Sequence, residues 1–334
     1  MLMVSVLLAG VLPVMCPRVM AQAITGGGSI RIDGEELLSG SGPTFVVPAK
    51  EIPEHWSVIA YGDTRFTDPA NTKVTNPKVR RWLVEKIASE HPDALLISGD
   101  LPYDGTVDGD YEVFRKETTP WRAEQLRVYP AVGNHEVAHD AAKGIRNWWK
   151  AFPELAGRRW YSVEFGNAYF VMLDSDLPLT EGSDQQRWLA EQLAHLPRQT
   201  RFVMVTLHHP PVADMTPPQT HTVGPNERAL ADFLEARAGK LKAKIVVIAG
   251  HTHNYERFDE GGIAYLVSGG GGARPYVVTR DANDLYKNPA VVNYHYVKFV
   301  FDGKKLDATM YRVDGDAAAP VFEAKDWFSV SVGH

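Results

Sequence analysis

Seven short apolar runs mark the chain beyond residue 55, and each stops at glycine or at a polar residue: WSVIAYGD, ALLISGD, RVYPAVGNHE, NAYFVMLDSD, RFVMVTLHHP, KIVVIAGHTH and GIAYLVSGGGG. Runs of this length, rich in Val, Ile, Leu and aromatics, are the pattern of strands buried on both faces. Between several of them the apolar spacing becomes helical. Residues 76–90 bring Val79, Leu83 and Ile87 to one face, 184–196 group Trp188, Leu189, Leu193 and Leu196, and 226–238 pair Leu230 with Leu234. The later stretch VVNYHYVKFVFDGKKLDATMYRV reads as two strands joined at Asp302-Gly303, a hairpin signal. The pattern predicts a single α/β domain over 51–334 that ends in antiparallel strands. Residues 24–50, with GGGSI and LSGSGP and no clear period, are expected to form a loose N-terminal arm with at most one edge strand.

The start of the chain has another character. MLMVSVLLAGVLPVM is apolar, and Ala21-Gln22-Ala23 fits the small-residue pattern of a secretory cleavage site. Residues 1–23 are therefore expected to be a signal peptide and the mature protein to be secreted or periplasmic. No Lys or Arg precedes the apolar run, and a buried N-terminal strand or helix is the alternative. The run is shorter than the roughly 20 residues that span a bilayer, so no stable membrane insertion is expected after removal of the signal. Cys16 is the single cysteine, and cleavage after Ala23 would leave neither a disulfide nor a thiolate site. The net charge of −6 gives no general attraction to nucleic acid, and no nucleic-acid partner is evident. A small phosphorylated substrate would need a local site.

Such a site is suggested by the residues just past the apolar runs, the edge at which α/β sheets bind ligands. Five segments stand there: Gly62-Asp63-Thr64-Arg65, Gly99-Asp100-Leu101-Pro102-Tyr103, Gly133-Asn134-His135-Glu136, His208-His209-Pro210 and Gly250-His251-Thr252-His253. They offer carboxylates, an amide oxygen, a phenol and imidazoles, the mixture that zinc, manganese and iron accept. Singly, Asp63 and Asp100 read as turn residues or caps rather than as ligands, and His208 reads also as a hydrogen-bonded strand-end histidine. His251 and His253, two apart on an extended segment, would point to one side. Phosphate-ester hydrolysis explains the whole set: two cations neutralise the phosphoryl oxygens and lower the pKa of a bound water.

The ordered motifs GD, GDxxY, GNHE, VxxH and GHxH resemble those of the calcineurin-like metallophosphoesterases. Asp100-x-x-Tyr103 and the run from Ala249 to Arg257 (AGHTHNYER) are similar to the purple acid phosphatase branch. The likeness covers roughly residues 56–275. It implies a four-layer αββα sandwich of two mixed sheets flanked by helices. It implies that Asp63, Asp100, Tyr103 and His253 hold a first metal, and Asp100, Asn134, His208 and His251 a second, with Asp100 as the bridge. His135 would contact the phosphate and assist the leaving oxygen. A tyrosinate ligand favours Fe(III), paired with Fe(II), Zn(II) or Mn(II). The expected activity is phosphomonoester hydrolysis by attack of metal-bound hydroxide. The alternatives are a phosphodiesterase or nucleotide hydrolase on the same scaffold, or a non-catalytic metal- or phosphate-binding protein.

One position departs from the family pattern. Arg65 stands where the wider family has His and the purple branch Gly, and a guanidinium cannot ligate a metal. Arg65 is expected either to face the cleft and bind the substrate phosphate or to pair with Asp68 or Asp104. His221, in QTHTVG, is a candidate for substrate contact or an exposed loop histidine. His209 is expected to project away from His208 if that segment is extended. Glu136 and Glu256 are candidates for orienting the ligands. Gly269 to Gly272 reads as a flexible strand-end loop, Asp104, Asp108 and Asp110 as a solvated acidic loop, and Trp148-Trp149 as core or rim.

Overall fold

The computed structural model describes residues 22–23, 28–32, 35–39, 42–216, 221–288 and 293–333. The expected signal peptide lies outside the described residues except for Gln22 and Ala23. Those two form β1 (Gln22–Ala23), antiparallel to β4 (Phe45–Val47), and a separate hairpin joins β2 (Gly28–Ile32) to β3 (Glu35–Ser39). The stretch 24–50 thus contains more strand than a loose arm with one edge strand.

From β5 (His55–Tyr61) onward strands and helices alternate as the apolar spacing predicts. Next come α1 (Pro77–Ser89), β6 (Ala94–Ile97), α2 (Asp108–Glu117), α3 (Thr119–Ala123), β7 (Val128–Pro130), α4 (Asn134–Val137) and α5 (Ala141–Ala151). They are followed by β8 (Tyr161–Phe165), β9 (Ala168–Met172), α6 (Asp184–Ala194), β10 (Phe202–Thr206), α7 (Pro225–Ala238), β11 (Lys244–Ala249), β12 (Tyr255–Glu260) and β13 (Ile263–Ser268). The chain closes with β14 (Tyr294–Asp302), β15 (Lys305–Val313) and β16 (Phe322–Ser331). The predicted hairpin is β14–β15, with Asp302 opposite Lys305 and Gly303 at φ +55°. At the start of α1, Asn76 accepts the Val79 N–H, and Pro77 occupies a position where its missing donor costs nothing.

Two mixed sheets result. One has the order β1-β4-β8-β9-β10-β11-β13-β12 and the other β16-β15-β14-β5-β6-β7. Strands β9, β10, β11 and β13 run parallel, as do β5, β6 and β7. The runs are mostly apolar because both faces are covered. In β10, Phe202 and Met204 point into the core between the sheets, whereas Val203 and Val205 face α6 and α7. Trp56 stacks on Phe301 at 3.8 Å and meets Phe165 of the other sheet at 5.0 Å, so the sheets face one another through aromatic rings. Helices α1, α2, α3 and α5 cover the outer face of the second sheet, giving an αββα sandwich.

Some elements escaped the periodicity. Charged residues in β12 (YERFDE) hide an edge strand, and the acidic stretch forms the start of α2. There Asp108 is exposed, but Asp110 is buried and accepts the Asp104 N–H, so that stretch is not a solvated loop throughout. Among the described residues, no helix is long and apolar enough to cross a membrane.

Candidate metal centre

The C-terminal ends of β5, β6 and β7 in one sheet, and of β10 and β11 in the other, converge at one rim. The backbone turns there sharply: Asp63, Arg65, Asp100 and His251 have φ of +58°, +46°, +54° and +68°. Left-handed conformations are unfavourable for residues with a Cβ, and tertiary bonds hold them here. The Asp63 N–H donates to Gly99 at 3.1 Å, and the Arg65 N–H to the Asp100 carbonyl at 3.0 Å. The His251 N–H donates to Asp63 Oδ2 at 2.9 Å, and the His135 N–H to Asp100 Oδ1 at 3.0 Å. Glycine permits the crowding: a Cβ at Gly99, φ +85°, would stand 2.8 Å from both the Gly133 Cα and the His208 Nδ1.

The donor atoms fall into two neighbouring groups. Around Asn134, the Oδ1 lies 2.8 Å from His208 Nε2 and 3.2 Å from His251 Nδ1, and these two nitrogens are 3.1 Å apart. Asp100 Oδ1 completes the group at 3.3 Å from His208 Nε2. In the other group, His253 Nε2 lies 3.4 Å from Asp63 Oδ1; both atoms are buried and neither has a hydrogen-bond partner. Suitably placed oxygens of Asp63 and Asp100, with a nitrogen of His208, lie within 4.8 Å of one another. Of the seven expected ligands, six therefore meet.

Backbone carbonyls settle the tautomers. His208 Nδ1 faces the Ser98 carbonyl at 2.9 Å, and His253 Nδ1 faces that of Arg274 at 2.6 Å. Carbonyls only accept, so each Nδ1 carries a proton, and in a neutral ring Nε2 keeps its lone pair. His135 follows suit, donating from Nδ1 to the Tyr103 carbonyl. Burial holds the pKa of His135, His221 and His251 below the usual imidazole value and that of His209 at about 3. Burial opposes charge on His208 too, but the Asp100 and Asp63 carboxylates outweigh it and raise its pKa. Burial likewise opposes charge on Asp100, yet His208, His135 and Arg65 keep its pKa far below the ordinary carboxylate value. Nitrogen and oxygen donors crowded this closely, with two of them buried and without a hydrogen-bond partner, fit a cation. Ligands about 2.1 Å from a shared ion stand roughly 3.0–3.4 Å apart, and the separations here run from 2.8 to 3.4 Å.

Behind the donors, the buried Glu136 carboxylate accepts three backbone N–H groups: Leu101 at 2.8 Å, Gly133 at 2.8 Å and Asp100 at 3.1 Å. Arg65 reaches Asp100, with Nη2 3.4 Å from Oδ2, rather than Asp68 or Asp104. The His221 ring lies 4.6 Å from that of His251. Tyr103 has its ring 5.4 Å from that of His135.

Three expectations change. The segment after β10 bends, so His209 does not point away: its ring is 4.3 Å from that of His251, and Nδ1 is held by Ser175 Oγ at 2.9 Å. Glu256 accepts the Asp214 N–H at 2.6 Å and supports that loop rather than a ligand. Gly269 to Gly272 is packed beneath the ligands instead of forming a flexible loop: a Cβ on Gly269 would meet the Thr252 carbonyl at 2.3 Å. Tyr276 was not legible as part of the site. Its ring stacks on His253 at 4.0 Å, but it comes from a loop without a motif.

The sequence pattern of the Calcineurin-like phosphoesterase family matches residues 59–255. Purple acid phosphatase 21 of Arabidopsis thaliana is 27% identical over 264 residues, covering 71% of this chain and 54% of that protein. A probable cyclic nucleotide phosphodiesterase of Ruthia magnifica subsp. Calyptogena magnifica is 24% identical over 196 residues, covering 59% of this chain and 75% of the relative. The solved structure of purple acid phosphatase PPD1 from yellow lupin seeds superposes with a TM-score of 0.69 at 17% identity, covering 86% of this chain and 56% of that one. The chain thus spans about half the length of the purple acid phosphatase relatives it matches.

Proposed function

The chain belongs to the calcineurin-like phosphoesterase family, and from that premise we propose that it is a phosphomonoesterase working with two metal ions. The observation that carries this reading is the pair of adjoining donor groups whose nitrogen and oxygen atoms crowd within 2.8–3.4 Å of one another, one around Asp63 and His253, the other around Asn134, His208 and His251. Asp100 would bridge them. Asp63, Asp100, Tyr103 and His253 would hold one ion, and Asp100, Asn134, His208 and His251 the other. A phenolate from Tyr103 would suit Fe(III), with Fe(II), Zn(II) or Mn(II) as its partner. Such ions would supply positive charge to the phosphoryl oxygens and acidify a coordinated water.

The protein's own groups have separate tasks. His135 is tethered at Nδ1 to the Tyr103 carbonyl, leaving Nε2 as the atom that takes up a proton and passes it to the leaving oxygen. Arg65 and His221 line the cleft as contacts for the substrate. Glu136 fixes Asp100 from behind. Residues 1–23 are read as an export signal, which N-terminal sequencing of the secreted or periplasmic protein tests.

A phosphodiesterase is the second reading, supported by the likeness to the probable cyclic nucleotide phosphodiesterase. Metal analysis of the purified protein, alongside a panel of monoesters, diesters and nucleotides, separates the two. Asp100→Asn and His251→Ala should each abolish turnover and lower metal content; a wild-type rate in either would contradict the two-metal reading. With Fe(III) on Tyr103 the protein should absorb visible light and Tyr103→Phe should lose the band. An active, colourless, iron-free protein would move the assignment to zinc or manganese. Normal metal content without turnover on any ester would point to a binding protein.

A further inference from the structure

Arg80, on α1, is fully buried and ends against Glu117, the last residue of α2. Its Nε donates to Glu117 Oε2 at 2.8 Å and its Nη2 to Oε1 at 2.8 Å, a two-pronged ion pair. The same guanidinium holds a stretch of backbone: Nη1 donates to the Arg65 carbonyl at 2.9 Å and Nη2 to the Thr67 carbonyl at 3.2 Å. Segment 65–67 is tied on its other side as well. The N–H groups of Arg65 and Phe66 donate to the carbonyls of Asp100 at 3.0 Å and Leu101 at 2.8 Å. Arg65 is thereby kept at φ +46°, where a residue with a Cβ does not settle unaided. A relaxed φ would swing the Cβ and aim the side chain elsewhere. As held, Arg65 brings Nη2 to 3.4 Å from Asp100 Oδ2 and keeps part of its side chain exposed.

Taking two charges out of water is costly, and an apolar pair of similar bulk often serves stability as well. An apolar pair has no donors for the two carbonyls, however, and that is what the ion pair offers segment 65–67. Resting on the phosphoesterase reading, with Arg65 as a contact for the substrate phosphate, we propose that Arg80 and Glu117 are positioning residues for that contact. Glu117 orients the Arg80 guanidinium, and Arg80 fixes the backbone of residues 65–67 so that Arg65 meets the phosphate. Both act through Arg65 and neither touches the substrate.

The test follows inorganic phosphate binding by calorimetry on the metal-loaded, full-length protein, so that it does not depend on turnover. Arg65→Gln should weaken phosphate about tenfold or more, the loss expected for one bond to a charged group. Arg80→Met/Glu117→Leu removes both charges and should weaken it to a similar extent, while its urea midpoint stays near that of the wild type. Added to Arg65→Gln, the double replacement should cost nothing further, because both changes act through one side chain. Arg80→Lys keeps a charge beside Glu117 but cannot serve both carbonyls. It should weaken phosphate several-fold, again only while Arg65 is present, and it keeps the test decisive if the double variant does not fold. Glu90→Gln, at the C-terminal end of the same helix, should lose stability with unchanged phosphate affinity. Wild-type affinity in Arg65→Gln or in Arg80→Lys overturns the proposal, as does an equal weakening in Glu90→Gln. Losses that multiply when Arg80→Lys is combined with Arg65→Gln also overturn it, since they place the effect outside Arg65. A wild type that binds phosphate with the expected pattern but turns over no ester leaves the positioning pair standing and removes the hydrolase reading.

Discussion

Replacing Glu136 by glutamine tests whether the centre depends on a carboxylate that touches no proposed metal ligand side chain. Oε2 accepts from Asp100 and Gly133, and Oε1 from Leu101. A glutamine in the same place can keep two of these bonds by turning its carbonyl oxygen to Asp100 and Gly133, but its NH2 then faces the Leu101 N–H. One bond to a charged acceptor, about 1.5–3 kcal/mol, is lost, and the other two become neutral and weaker. Part of this is recovered: burial and the nearby Asp100 charge push the Glu136 pKa well above its usual value, and glutamine removes that charge. The expected net loss is about 2–4 kcal/mol. The same bonds hold Asp100 at φ +54°, so metal affinity should fall by about 10–100-fold, as for outer residues that orient ligands. Urea unfolding of the metal-free protein and calorimetric metal titration measure the two effects. Stability within about 0.5 kcal/mol of wild type together with unaltered metal affinity would refute the reasoning.

Two more predictions concern Glu90, away from the centre, and Gly99, within it. Glu90 is flanked by Lys298 Nζ at 2.6 Å and Lys86 Nζ at 2.5 Å; burial works to raise its pKa, but the lysines outweigh it and bring it from 4.5 to about 2. Its contribution is complete above pH 4.5 and disappears as pH falls toward 2, so Glu90→Gln should cost about 1 kcal/mol after solvent screening at pH 7. Urea titrations across pH should show that deficit shrinking below pH 4.5; a deficit that grew there would contradict the assignment. Gly99→Ala should lose more than about 2 kcal/mol, from left-handed strain plus collision with Gly133 and His208, and should shed metal. Gly109→Ala, where the nearest atom is 3.8 Å from the new Cβ, serves as the tolerated control in the same thermal and metal assays.

Much of the architecture was legible because both faces of the central strands are covered. The run in β11 is apolar from Ile245 to Ala249 and stops at Gly250, and that in β10 is broken only by the buried Thr206 before it stops at His208. Edge strand β12 was illegible for the opposite reason: four of its six residues are charged, and it lies at the margin of its sheet. The helical spacing of α1, α6 and α7 survives in sequence because each has one face against a sheet, whereas the first turn of α2 is acidic.

The sequence by itself determined which residues stand at strand ends, since an apolar run stops where the chain leaves the core. From that came the candidate donors Asp63, Asp100, Asn134, His208, His251 and His253. Tertiary structure decided which of those ends meet, because strand order in each sheet and the facing of the two sheets bring together residues far apart in sequence, 188 positions in the case of Asp63 and His251. It also brought in Tyr276 and His209 and buried Gly269 to Gly272. Those placements depend on loops whose paths are set by packing and hydrogen bonds from other parts of the chain, and no local spacing encodes such contacts.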